Sequence, residues 1–160
     1  MDHNKVLREQ LLRLLQGGYA HMGIDEAVAD FPMDRINENP PNVPYSSWHL
    51  LEHIRITQWD ILEFVRDPKH VSPSWPEGHW PAPGAQAGPA QWKATIEAIR
   101  SDLRVVEGIV QDPETDFFGP IPHAKDYNIF REIVLVADHN AYHIGEFGIL
   151  RQVMGTWPTK

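Results

Sequence analysis

"AQWKATIEAIRSDLRVVEGIVQ", residues 90–111, is the stretch that decides the fold class. Trp92, Ile96, Ile99, Leu103, Val106 and Val110 recur alternately four and three residues apart, so they share one face of a helix. That alternation is the seam of a helix in a bundle. Three more stretches carry the same period. Residues 4–16 place Leu7, Leu11, Leu14 and Leu15 on one face before Gly17-Gly18 ends the run. Residues 46–66 predict a second long helix, with Ser46 or Ser47 as N-cap and Asp67-Pro68 as the stop. The last helix is expected over 128–154, up to Gly155 and Pro158. "IDEAVADF" adds a short helix before the Pro-rich stretch 40–44, and no stretch alternates with the period of two that a strand needs. The expectation is all-α: a four-helix bundle forming a single domain over residues 1–160.

Length and composition agree with one soluble domain. The chain's 160 residues suffice for one hydrophobic core, and 42% apolar with 22% charged residues is ordinary globular composition. A net charge of −8 without a basic stripe argues against a nucleic-acid partner, because phosphate binding relies on clustered Lys and Arg. The absence of cysteine removes disulfides, thiolate ligands and a cysteine nucleophile. The first residues, "MDHNKVLREQLLRLL", lack the apolar core of a signal peptide, and the longest fully apolar run, "IVLVA" at 133–137, cannot cross a bilayer. A cytoplasmic location with no membrane partner is therefore expected.

Two connections are unusual. Residues 67–89 hold six prolines and three glycines, yet also Trp75, His79 and Trp80. Disordered linkers rarely carry two tryptophans, so this loop is expected to be ordered against the helices. Residues 112–127, "QDPETDFFGPIPHAKD" with its preceding Gln111, mix Phe117, Phe118 and Ile121 with Pro and Gly in the same way. Both read as coverings over one end of a bundle, either as plain caps of the core or as a substrate lid.

The chemistry lies in "VLVADHNAYHIGEFGIL", residues 134–150. His139 and His143 stand four apart in an otherwise apolar run, hence on one helix face about one turn apart. Such a pair can grip a cation, form a buried hydrogen-bonded pair, or arise by chance in a chain with nine histidines. The second long helix offers a further donor, because "SSWHLLEHIRITQWDIL" carries His49 and His53, also four apart. Two imidazoles plus one ligand from a neighbouring helix make the three-ligand site with an open position that catalytic metals use.

"WHLLEHIRITQWDILEF" at 48–64 and "VADHNAYHIGEFGILRQ" at 136–152 resemble the two signature helices of the DinB-like superfamily, bacterial four-helix-bundle proteins distinct from the DNA polymerase of that name. "HVSPSWPEGHWP" and "DPETDFFGPIPHA" are similar to the loops of one branch, so the resemblance covers nearly the whole chain. It implies metal ligation by one His of the second long helix and a His-x3-His pair of the last, here His53, His139 and His143. His49 falls where the family keeps no ligand and is expected behind the ligands. The family often reads His-x-Gly-Gln where this chain has Glu146 after Gly145, so Glu146 is expected either to orient a ligand or to become a fourth one.

The metal expected is a divalent transition ion, zinc or nickel first, with iron, copper or cobalt as alternatives. Asp60, Glu132 and Glu146 lie on plausible faces to orient the ligands' outer nitrogens. Asp138 and Tyr142 point away from the ligand face; Gly145 and Gly148 are expected to permit close helix approach within the bundle or across a dimer. His123 is a loop histidine that either reaches the site or lies exposed. The resemblance implies a small-molecule substrate and transfer of a low-molecular-weight thiol such as bacillithiol or mycothiol. Metal-dependent hydrolysis and a non-catalytic metal-binding stress-response scaffold are the alternatives. No side chain is assigned a catalytic role beyond the metal's own bound group. Arg55 and Arg151, near the ligand segments, are the cations considered for an anionic thiol, with an ordinary surface position as the alternative. The apolar last helix, its two glycines and the family's frequent dimers lead to an expected homodimer.

Overall fold

The computed structural model describes residues 2–158 and is mostly helical. Its α-helices are α1 (His3–Gln16), α2 (Ile24–Val28), α3 (Ser47–Arg66), α4 (Pro89–Gln111) and α5 (Ile129–Met154). Local chemistry sets their limits. Ser46 caps α3 by accepting from the His49 amide, and the His49 ring returns a bond to the Ser46 amide, closing a capping box. Pro89 opens α4 behind Gly88, where a missing N–H costs nothing. The Asn128 side chain accepts from the Arg131 amide at the start of α5, and Gly155 ends that helix at a left-handed φ of 62°.

The structure also contains an antiparallel hairpin, β1 (Pro120–Ile121) with β2 (Ala124–Asn128), which corrects the expectation of no strands. A two-residue strand offers no periodicity to read. In β2 no residue is buried, so its side chains carry no apolar alternation either.

Two apolar clusters fix the directions of the long helices. The first joins Leu50, Leu51 and Ile54 of early α3, Trp92, Ile96 and Ile99 of early α4, and Ile144, Phe147 and Leu150 of late α5. The second joins Ile61 and Leu62 of late α3, Val106 and Val110 of late α4, Ile133, Val136 and Ala137 of early α5, and Leu11 and Leu15 of α1. The helices α3 and α4 therefore run parallel, and α5 runs against both. A parallel pair needs a connection that travels the helix length, which is what residues 67–89 supply. This overturns the reading of that loop as a cover over one end. Asn37 fastens its far end by bonding both the carbonyl and the amide of Ala87, each at 2.9 Å.

Between the clusters lies a buried polar belt. Asn140 of α5 donates to Gln58 of α3 at 2.7 Å, and Gln58 donates to the Ile99 carbonyl of α4 at 2.8 Å. His139 and His143 fall in the same interval of α5. No helix among the described residues is long and apolar enough to cross a membrane.

Candidate metal centre

Three imidazoles from two helices meet at this belt. His53 of α3 is 2% exposed, and its Nε2 lies 3.1 Å from Nε2 of His139 and 3.2 Å from Nε2 of His143 on α5. Two nitrogens bound to one zinc ion at about 2.0–2.1 Å in tetrahedral array lie roughly 3.3–3.4 Å apart. The observed separations are close to that edge. Together the three residues form a group that can hold a metal ion.

Hydrogen bonding orients two of the three rings. Nδ1 of His53 lies 2.7 Å from the carbonyl oxygen of His79, which can only accept, so Nδ1 carries the hydrogen. Nδ1 of His143 lies 2.7 Å from Oε2 of Glu146. That bond, aided by Tyr45, holds the Glu146 carboxyl below its usual range against the opposing effect of burial, so Glu146 is an ionised acceptor. With a neutral His143 ring, the Nε2 atoms of His53 and His143 face each other as two lone pairs. His139 can donate to His53 but cannot supply a hydrogen between His53 and His143.

A proton on His53 or His139 is disfavoured there. Burial, reinforced by His143, pushes His53 down to about 4 against the opposing bond from the His79 carbonyl. Burial likewise pushes His139 down to about 3, with His143 and His53 adding to it. Neutral imidazoles with converging lone pairs fit a divalent cation. Nδ1 of His139 is buried with no partner among the described residues.

Side chains beyond the three rings fix their orientation. The Trp80 indole lies flat on His53, with centroids 3.9 Å apart and planes 3° from parallel. Tyr45 donates to the other oxygen of Glu146 and packs beside Trp80 at 5.0 Å. Burial first, then this bond to Glu146, raises the Tyr45 phenol, so it stays a donor. Both carboxylate oxygens of Glu146 are thus hydrogen-bonded, one of them to the outer nitrogen of His143.

Several sequence expectations require correction. Asp60 does not touch a ligand: its carboxylate accepts from His70 at 2.6 Å and His79 at 3.2 Å. Glu132 is buried in the first turn of α5, pairs with Arg131 and lies among Ile61, Val65 and Val106, in the second cluster. Arg151 is no surface cation. It is fully buried and donates to the carbonyls of Ala27, Ala29 and Thr156, so it cannot attract a thiol. Arg55 is paired with Glu52 at 2.8 Å. The ring of His49 is spent on the capping box, where its Nδ1 lies 2.7 Å from the Ser46 hydroxyl, and no bond links it to the three histidines. His123, by contrast, takes the exposed alternative: it is exposed and bonds the Phe64 carbonyl at 2.8 Å, away from the site.

Other residues are placed as follows. Tyr142 is 70% exposed. Gly148 admits Met22, whose Cε a Cβ there would meet at 3.2 Å, whereas Gly145 faces open space. Trp75 is 69% exposed, so only one of the two loop tryptophans is packed against the site. Sequence reasoning missed Tyr45 and His70. Neither has a spacing that marks it, and the one usable signal was Asp60, two turns along the His53 face of α3 and in need of a partner.

Comparisons with family models, with curated proteins and with solved structures each find no match.

Proposed function

We propose that the chain is a DinB-like four-helix bundle of α1, α3, α4 and α5, in which His53, His139 and His143 hold a divalent transition metal that serves thiol transfer to a small electrophile. The observation that carries the metal is the convergence of the His53 and His143 Nε2 atoms at 3.2 Å, each ring held by a hydrogen-bond acceptor at its Nδ1. Imidazole ligation suits zinc, nickel, copper and iron alike; zinc or nickel is proposed first, with iron, copper and cobalt as alternatives. A metal in such a site supplies Lewis acidity, which favours the deprotonated form of a small thiol or of water at neutral pH.

The chain's own groups do the rest. Glu146 and Tyr45 hold His143, while the His79 carbonyl and Trp80 hold His53. His139 and His143 are only partly buried, so the cluster reaches solvent on the α5 side. Trp80 and Tyr45 present aromatic surface there for the apolar part of a substrate. With no cysteine in the chain, the thiol must be a cosubstrate. A second copy is the proposed partner for the outer face of α5, where Tyr142, Ile149 and Val153 are exposed.

Elemental analysis of protein purified without added metal, followed by thiol titration of the cobalt-substituted protein, tests this reading. Stoichiometric metal and a shifted sulfur-to-metal charge-transfer band are expected. A metal-loaded protein whose spectrum no small thiol changes would exclude transfer and leave hydrolysis or the scaffold role.

A further inference from the structure

We propose that Asp60 is a positioning residue for His53, acting through a His–Asp–His clasp that locks the connection 67–89 onto the metal centre; this rests on the metal reading above. Asp60 is 8% exposed, and a carboxylate so far out of water needs both oxygens hydrogen-bonded. The connection meets that need twice. The His70 ring bonds Oδ1 at 2.6 Å, and the His79 ring bonds Oδ2 at 3.2 Å. The rings take different oxygens, which is the geometry of a clasp and not of one cation shared by three ligands.

The clasp ends on the ligand. His79 uses its ring to hold Asp60 and its backbone carbonyl to receive the Nδ1 hydrogen of His53 at 2.7 Å. The next residue, Trp80, stacks on that same imidazole. Asp60 and His53 are seven residues apart on α3, so one helix face supplies both the anchor and the ligand, and the loop is stretched between them. A shift of the loop would move the acceptor that fixes the His53 tautomer and the indole that fixes its ring plane. Partners behind a ligand typically contribute about 10- to 100-fold in metal affinity. By linkage, an ion that favours the locked ligand must favour the locked loop by the same factor.

The test compares chelator-competition metal affinity, the cobalt absorption spectrum and tryptic cleavage after Lys69, which lies within the connection. Asp60→Asn can accept from only one of the two rings, so a fall of about 10- to 100-fold in affinity and an altered cobalt spectrum are expected. His70→Ala should give a smaller loss. His70→Gln, which keeps an N–H for Asp60, should restore affinity. In the wild-type chain, metal should slow cleavage after Lys69, a measurement that stands even where Asp60→Asn does not fold. Wild-type affinity and spectrum in the Asp60 and His70 variants, together with metal-independent cleavage, would overturn the clasp and leave it a packing contact. A wild-type chain that binds no metal would instead overturn the function proposed above.

Discussion

The two Pro- and Gly-rich connections look alike in sequence and do different work. Residues 67–89 run along α3 and meet it through polar groups: the His70 and His79 rings on Asp60, and the His79 carbonyl and Trp80 on His53. Residues 112–127 close the far end of the second cluster with apolar side chains, are tied down by Arg8 and His123 through backbone carbonyls, and touch none of the three histidines. Phe117 is 4% exposed and Ile121 2%, and the Arg8 guanidinium lies 4.5 Å over the Phe117 ring. Burial of apolar surface is non-directional, whereas a hydrogen bond to a ring nitrogen fixes distance and angle. The first connection places such a bond on His53, a member of the candidate site, and the second places none on it.

The largest expected effects separate the two. Ala at His53, His139 or His143 should leave little bound metal after gel filtration, because two imidazoles do not make the site. Phe117→Ala should cost about 3–5 kcal/mol of stability, as for other buried aromatic truncations, and yet retain full metal stoichiometry. Urea titration and elemental analysis on the same preparations read both quantities. Metal loss in the Phe117 variant, or retention in any of the three His variants, would break the division of labour between the connections.

What was legible in advance follows the same line. The helices were, because Trp92 to Val110 and Leu7 to Leu15 repeat with a period that only a helix satisfies. The His139/His143 pair was visible through its spacing, and His53 through the resemblance. The parallel run of α3 and α4 was not, because periodicity shows which face is buried but not in which direction the next helix travels. The support of His53 was hidden for a sharper reason: it is a backbone carbonyl, and every residue has one. Arg151 misled because a residue near the ligands in sequence, about two turns beyond His143 along α5, points instead at the carbonyls of Ala27, Ala29 and Thr156.

The pH dependence of the metal-free protein sharpens the contrast next. His53 and His139 have folded pKa values near about 4 and 3, whereas an unfolded imidazole titrates near about 6.5. Below pH 6.5 the unfolded chain therefore takes up protons that the folded chain refuses. Stability that is fully present above 6.5 is lost as pH falls towards 4, by up to about 1.4 kcal/mol per pH unit for each ring. Urea titrations of chelator-treated protein from pH 7 to 5 should show this slope, and His139→Leu should reduce it. An unchanged slope in that variant would mean that the ring is hydrated in the metal-free state.

The smallest expected effect concerns His49, which shares a helix face with His53 and differs from it in what its ring touches. The His49 Nδ1 lies 2.7 Å from the Ser46 hydroxyl and 3.3 Å from the Ser46 amide, so the ring completes the cap of α3. His49→Ala removes that return bond, while Ser46 still accepts from the backbone amide of residue 49. Half a capping box should then remain, and the loss should be about 1 kcal/mol. Part of it is offset because Nε2 of His49 is buried without a partner among the described residues, a burden that Ala does not carry. Metal stoichiometry should match the wild type. Should His49→Ala strip the metal while His53→Ala keeps it, the two histidines of α3 would exchange roles, and the lone-pair argument at His53 would fall with them.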